Sequence, residues 1–167
     1  RVFLQLCKDL GYATQKIPES MGKKTPDFEV IHNFSKVIAE VKQFDHNARM
    51  LSAQTILKAM GSIFRPIDFS HDGGISKKLK NQAHQLDEAY RQGLPTLGVI
   101  YSERLLGETD YQVQHALAKK TVPVPKEISA VLWIRNERLE GDTEPYKLYL
   151  NENAPVRFPT DMFGAPA

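Results

Sequence analysis

Residues 26–43 read PDFEVIHNFSKVIAEVKQ, and this stretch decides the fold of the chain. Two short β-prone runs flank a turn at Asn33, which predicts a strand–turn–strand unit. Alternate side chains of a strand share a face, so Glu40 and Lys42 point the same way. A carboxylate and an ammonium on an otherwise apolar strand are costly to desolvate unless they pair or meet a ligand. Asp27 lies at the start of the first run, where the hairpin can bring it beside Glu40.

These three charged side chains predict a site for metal-dependent chemistry on a phosphate. The carboxylates of Asp27 and Glu40 are hard oxygen donors of the kind that Mg²⁺ takes. Lys42 supplies a point charge for a scissile phosphate or its attacking water. The alternative is structural: Asp27 as a turn residue after Pro26, and Glu40 with Lys42 as a weak ion pair on a solvated strand face.

The order Pro26-Asp27, a gap of twelve residues, then Glu40-Val41-Lys42 resembles the signature of the PD-(D/E)XK nuclease superfamily. That superfamily includes many restriction endonucleases and Holliday-junction resolvases. The resemblance implies that Asp27, Glu40 and Lys42 are catalytic. It also implies one or two Mg²⁺ ions, replaceable by Mn²⁺, held by both carboxylates and the Val41 carbonyl. Lys42 would then position or help deprotonate the attacking water and stabilise the pentacovalent phosphate.

A further metal-binding acid is expected from the same resemblance. The first helix of the family often carries a Glu, but residues 1–10 contain none. Its usual place would fall before Arg1, and Asp9 is too near the helix end to replace it. Glu19 is an alternative extra acid, against the simpler interpretation of a solvent-exposed loop carboxylate.

Glutamines form a second group of candidates. Some relatives place a helical Gln near the catalytic lysine, which favours Gln82 or Gln85, against an ordinary solvated helix face. The Gln-x-x-x-Tyr spacing of the RecB-like branch is not matched by Gln85 and Tyr90. Gln43 follows Lys42 along the strand and is expected on the opposite face.

Basic residues near the motif predict contacts to nucleic-acid phosphates. The formal net charge of +2 is too small to argue nucleic-acid binding from composition. However, residues 1–94 contain 14 Lys+Arg against 10 Asp+Glu, so the basic excess lies with the motif. The alternative is a solvated helix and loop surface. The candidate phosphate contacts are Lys23, Lys24, Lys77, Lys78 and Lys80.

Periodicity along the rest of the chain predicts an α/β domain. Helices are expected at 2–10, 48–60, 75–92 and 111–120, and further strands at 12–17, 94–101, 128–134 and 145–150. The continuous apolar run 94–101 is typical of a central strand covered on both faces. We expect one restriction-endonuclease-like core over residues 1–167. Its mixed central sheet would have about five or six strands, with helices on both faces and an irregular tail from about 151.

Composition limits the remaining possibilities. A chain of 167 residues with 41% hydrophobic content is long enough for one ordinary domain. The single Cys7 excludes an internal disulfide and a multi-cysteine metal site, and it favours a reducing compartment. No apolar run approaches the roughly 18 residues of a membrane span. The expected location is cytoplasmic, with no membrane partner, and a homo-oligomer is left open.

The function predicted from the sequence is metal-dependent hydrolysis of phosphodiester bonds, most simply in DNA, by an endonuclease. Two alternatives remain open. One is a non-catalytic nucleic-acid-binding or protein-interaction module that retains the nuclease fold. The other is a nuclease of the same chemistry that acts on RNA.

Overall fold

A computed structural model describes residues 1–22, 24–44, 72–101, 113, 115–135 and 145–164. Two helices, α1 and α2, have the bounds Val2–Asp9 and Asp72–Arg91. Six strands, β1 to β6, have the bounds Ala13–Lys16, Phe28–His32, Ser35–Gln43, Thr96–Tyr101, Ala130–Ile134 and Tyr146–Leu150. Residues 113 and 115–118 are also helical.

The six strands form one mixed sheet in the order β1-β2-β3-β4-β5-β6. β1, β2 and β3 pair antiparallel, β3, β4 and β5 pair parallel, and β6 returns antiparallel to β5. The predicted α/β class and the predicted strand number are confirmed. The hairpin between β2 and β3 turns at Asn33, whose φ of 52° lies in the left-handed region that asparagine tolerates.

The middle of the sheet is covered on both faces. Every residue of β5 and all but the last of β4 are buried, as the continuous apolar run predicts. On one face α1 buries Phe3 and Leu6 in a cluster with Ala39 of β3. On the other face α2 buries Leu79 in a cluster with Ile38 of the same strand. Helices therefore flank the sheet on both sides, as expected.

The segment 151–164 contains neither helix nor strand, yet it completes the α1 face of the core. Phe158, Met162 and Phe163 are buried in the same cluster as Phe3. The Phe163 N–H donates to the Tyr12 hydroxyl at 2.8 Å, which fixes the segment against the start of the sheet. Aperiodic packing of this kind carries no 2.0 or 3.6 repeat, so the sequence gives no signal for it.

Most element boundaries differ from the sequence prediction by one to three residues. β3 begins at Ser35, two residues before the expected start, because Ser35 still pairs with His32 across the tight turn. α2 begins at Asp72 rather than residue 75. The helix expected at 48–60 lies outside the described residues, as does part of the one expected at 111–120.

Among the helices that the structure describes, none has the length and apolar character needed to cross a membrane.

Candidate active site

The register of the β2–β3 hairpin places Asp27 opposite Glu40. Phe28 pairs with Ala39, so the residue before Phe28 lies across from the residue after Ala39. The Asp27 N–H donates to the Ala39 carbonyl at 3.1 Å, and the Val41 N–H donates to Asp27 Oδ2 at 2.9 Å. Asp27 is thus held by its backbone and its side chain. Its carboxylate accepts a hydrogen bond from the Val41 N–H of β3. A residue that only formed a turn would instead bond its own backbone within a few residues.

Glu40 is fully buried on the sheet face that α2 covers. Its side chain is 0% exposed, whereas that of Lys42 is 32% exposed. Lys42 Nζ forms an ion pair with Glu40 Oε1, as two residues on one strand face can. The interpretation of this pair as a solvated surface contact therefore fails for Glu40, because no part of its side chain reaches water.

The second oxygen of Glu40 has no hydrogen-bond donor among the described residues. Oε2 is buried, and the N–H of Asp27, which lies near enough to lower the pKa of Glu40, forms its hydrogen bond with the Ala39 carbonyl. Leaving a carboxylate oxygen buried without a partner costs several kcal/mol, on the order of a lost charged hydrogen bond. Such an atom is uncommon in a folded protein, and it marks a place where a cation or a proton would stabilise the site.

The protonation of Glu40 reflects this burial. The pKa of Glu40 is raised from 4.5 to about 7, chiefly by desolvation and also by the negative charge of Asp27, while the hydrogen bond and charge of Lys42 and the backbone N–H of Asp27 oppose the rise. At neutral pH the side chain is therefore poised between a carboxylic acid and a carboxylate. Any cation that binds between Asp27 and Glu40 favours the ionised form.

Gln82 links α2 to the backbone of this site. Its side chain is fully buried, and Nε2 donates to the Glu40 carbonyl at 2.9 Å and to the Val99 carbonyl at 2.8 Å. The expectation that Gln82 could lie on a solvated helix face is therefore wrong. Gly98 pairs with Glu40 in the sheet, and a Cβ at Gly98 would lie 2.9 Å from Gln82 Oε1. A larger residue at Gly98 would displace the Gln82 amide, which two buried hydrogen bonds hold in place.

A polar cavity of about 220 Å³ adjoins Asp27. Glu19 lines it as an exposed loop carboxylate, and Gln85 lines it from α2. Gln85 Nε2 donates to the Thr25 carbonyl at 3.3 Å, which ties the loop between β1 and β2 to the helix. Glu19 and Gln85 therefore share a cavity with Asp27, while Gln82 contacts the backbone of Glu40.

The other candidates are distributed around this centre. Gln43 lies on the α1 face, where the Tyr101 hydroxyl donates to its Oε1 at 3.1 Å, so the structure does not bring it to Lys42. Lys24 lines the polar cavity. Lys78 lies over the Phe44 ring, with Nζ 5.8 Å from the ring centre. Lys77 and Lys80 are exposed on α2, and Lys23 lies outside the described residues.

The donor set fits a hard divalent cation in part. Among the described residues no group of three or more His, Cys, Asp or Glu side chains could hold a metal, so the acids available are Asp27 and Glu40. The Val41 carbonyl would be the third ligand. β2 begins only at Phe28, opposite Ala39, so it does not pair with Val41. The N–H and C=O of a strand residue point to the same side, and the Val41 N–H already points to Asp27. Two carboxylates and a carbonyl suit Mg²⁺, which would take water or phosphate oxygens in its other positions. The unbonded Glu40 oxygen is available as one of these ligands.

Comparisons with known proteins add no relative to this picture. No protein-family model matches the chain, and neither the curated proteins nor the solved structures contain a significant match. The functional interpretation therefore depends on the geometry of the site.

Two residues at the site were missed from the sequence. Gly98 sits inside a strand, and a glycine in that position signals close approach of another group, so it could have been found. Lys16 lines the polar cavity from β1. A lysine at the end of an exposed strand carries no signal of its own, and its pairing with Phe28 directs its side chain to the α1 face, so Lys16 lines the cavity by its place on β1.

Proposed function

We propose that this protein is a Mg²⁺-dependent endonuclease whose active site is formed by Asp27, Glu40 and Lys42. The observation that carries the proposal is the buried Glu40 carboxylate. One of its oxygens has no donor among the described residues, and it lies beside a second carboxylate and a lysine. A site that only stabilised the fold would gain from an apolar residue at this position, since a buried ion pair rarely exceeds its desolvation penalty.

The arrangement of the strands supports a restriction-endonuclease-like core. Asp27 immediately precedes β2, the middle strand of the antiparallel meander β1–β2–β3, and Glu40 and Lys42 lie on β3. The next strand, β4, is parallel to the third and follows helix α2. Glu40 thus lies in the buried middle of β3, where both sheet faces are covered and a charged side chain is expensive without a functional reason.

Within this proposal each residue has a separate task. Asp27, Glu40 and the Val41 carbonyl would hold the cation, which when bound activates water and neutralises charge on the phosphate. Lys42 is part-exposed and carries its charge on the same strand face as Glu40. Its ammonium would orient the attacking water and stabilise the negative charge that builds up on the pentacovalent phosphate.

A non-catalytic nucleic-acid-binding module is the second candidate, and one contact favours it. Lys42 already neutralises Glu40 through their ion pair, so the site is partly satisfied without any ligand. In that case the pair would stabilise the sheet and the protein would bind nucleic acid without cutting it.

Incubation with supercoiled plasmid separates these two functions. We expect nicking or linearisation with Mg²⁺ or Mn²⁺ and little with Ca²⁺, whose larger and looser coordination shell aligns water poorly. Calorimetric titration should show Mn²⁺ binding to the parent protein and none to Asp27→Ala. An uncut plasmid under all three ions, together with no Mn²⁺ binding in the presence of DNA, would refute the nuclease and leave the binding module.

A further inference from the structure

The polar cavity beside Asp27 has one apolar wall and one amide wall. Ile17 and Asp27 line it side by side, because the Ile17 N–H donates to the Asp27 carbonyl at 3.0 Å and residues paired in this way share a sheet face. Ile17 packs against the buried cluster beneath α2, so this face is the one that α2 covers. Gln85 lines the cavity from the helix, where its Nε2 donates to the Thr25 carbonyl.

The charged side chains at this cavity do not favour an anion. Glu19 and Asp27 line it together with Lys24, so two carboxylates stand against one ammonium group. Lys16 also lines it by its place on β1, but its pairing with Phe28 directs its side chain to the α1 face. An anionic ligand would meet a net negative charge here, whereas a neutral polar ligand would not.

Several hydrogen-bonding groups at the cavity are available to a ligand. Within the described residues, Glu19 takes part in no ion pair, and Gln85 Oε1 accepts no hydrogen bond. Ser20 and Lys24 add exposed donors. A neutral ring with donors and acceptors along its edge, and an apolar face to lie on Ile17, matches these groups. Nucleobases have this character, and proteins that bind an extruded base recognise both its edge and its face.

The size and position of the cavity fit a single base. Its volume of about 220 Å³ is below the roughly 300–1,000 Å³ of sites for drug-sized ligands, which suits one heterocycle better than a whole nucleotide. Asp27 belongs both to the cavity and to the carboxylate pair proposed to hold the cation on the scissile phosphate. A base is joined to its phosphate through one sugar, so a base at the cut is near enough to enter. A base that is stacked and paired in a duplex is not free to do so.

We propose that this cavity binds one unpaired nucleobase of a nucleotide beside the scissile phosphate. The inference rests on the proposed nuclease site, which supplies the position of that phosphate. It makes the preferred substrate a strand with an extruded base, such as a single-base bulge, rather than a regular duplex.

Binding of three DNA duplexes of one sequence tests the cavity without cleavage when Ca²⁺ replaces Mg²⁺. The first duplex is fully paired, the second carries a single-base bulge, and in the third the bulged nucleotide is abasic. We expect the parent protein to bind the base bulge about tenfold more tightly than the paired duplex, because a bulged base needs no unpairing. It should also bind the base bulge about threefold to tenfold more tightly than the abasic bulge, since only the base differs.

A variant with a narrowed cavity provides the protein-side test. Ser20→Leu/Thr25→Leu adds bulk at the cavity without an aromatic ring on which a base could stack, so it should lose the advantage of the base bulge over the abasic one. Asn153→Leu is the control, because Asn153 is exposed beyond β6, at the opposite edge of the sheet from β1. Circular dichroism checks the fold. If the double variant does not fold, the comparison of the two bulges on the parent protein decides alone.

The outcomes keep the base site separate from the nuclease. An advantage of the base bulge that the double variant lacks supports the base site even if no plasmid is cut, in which case only the catalytic proposal fails. The same advantage in Glu40→Gln, where the cation site is removed, supports it independently of metal. If plasmid is cut but the parent protein binds the base and abasic bulges equally tightly, the inference is overturned and the nuclease stands. An advantage that survives in a folded double variant also overturns it.

Discussion

Gln82 Nε2 donates to the carbonyl of Glu40 at 2.9 Å, so helix α2 holds the backbone of the residue whose side chain lies at the centre of the site. The same nitrogen donates to the Val99 carbonyl at 2.8 Å and thereby joins β3 to β4. The parallel strands and the crossover helix are fixed to one another at the level of the two carboxylates. The position of Glu40 is therefore set by the fold and does not depend on a flexible loop.

Replacing Gln82 by Glu should destabilise the fold while conserving its shape. A carboxylate has no N–H to donate, so the Glu40 and Val99 carbonyls would face acceptors in a buried place. We expect a loss of about 1–3 kcal/mol in the free energy of unfolding, increasing with pH as the new acid ionises. Urea denaturation at several pH values measures it, with Gln92→Glu as the control, because Gln92 lies just beyond the same helix and donates only an exposed hydrogen bond, to Glu88. Equal stability of the two variants would contradict the linking role of Gln82.

Glu40→Gln should abolish both Mn²⁺ binding and cleavage while the fold persists. The amide keeps the size of the carboxylate, but it removes the charge that a hard cation requires. Calorimetry, plasmid cleavage and circular dichroism measure the three properties. Glu29→Gln is a matched control, because Glu29 pairs with Lys36 at 2.6 Å on the same hairpin but outside the site. An unfolded Glu40→Gln protein would show instead that the ion pair with Lys42 is structural.

The metal-free protein should become less stable as the pH rises toward neutrality. Folded Glu40 keeps its proton up to a pKa of about 7, whereas the ordinary value is 4.5. Between these values the folded state binds more protons than the unfolded state, so the free energy of unfolding falls with pH and levels off above pH about 7. At about 1.4 kcal/mol per pH unit, the loss is roughly 3 kcal/mol. Denaturation in EDTA should show this slope in the parent protein and a smaller one in Glu40→Gln; parallel curves would refute it.

Lys42→Ala should lower the cleavage rate by roughly 10²–10³, the usual cost of removing one preorganised charge from a transition state. Metal binding should survive, because lysine is not a ligand. Lys42 also lowers the pKa of Glu40, so Mn²⁺ binding of the two proteins should be compared over a range of increasing pH, in which the variant needs the higher pH to ionise Glu40. Lys36→Ala provides a control on the same strand, and an unchanged cleavage rate in Lys42→Ala would remove Lys42 from the mechanism.

The exposed lysines of α2 are tested by the salt dependence of DNA binding. If Lys77 or Lys80 contacts a phosphate, its removal should reduce the slope of log affinity against log salt by about one. Lys80 also lines a second cavity, of about 550 Å³, together with His84 and Arg91. A reduced slope for Lys80→Ala would therefore indicate that DNA passes near this cavity. Lys8→Ala, on the other face of the sheet, is the control. If the salt slopes of Lys77→Ala and Lys80→Ala equal that of Lys8→Ala, this face of α2 is solvated and makes no phosphate contact.

The sequence predicted the sheet well because strands and amphipathic helices leave periodic patterns. The alternation around Glu40 and Lys42 was enough to place both side chains on one face, and the apolar run over β4 was enough to place that strand inside. Packing between elements distant in sequence leaves no such pattern. The contact between Gln82 and Gly98 depends on the register of β3 with β4, and the position of Asp27 opposite Glu40 depends on the register of β2 with β3.

The irregular segment 151–164 has a consequence for how the protein is made. Phe163 contacts the rings of Phe3, Tyr12 and Phe158, with centroid distances of 6.4 Å, 4.9 Å and 6.4 Å. During synthesis, α1 and β1 leave the ribosome before this segment does, so the part of their apolar surface that Phe158 and Phe163 cover stays exposed to solvent until the segment emerges. A chain that stalls after β6 would therefore display unburied aromatic contacts of Phe3 and Tyr12, and we expect chaperones to bind it.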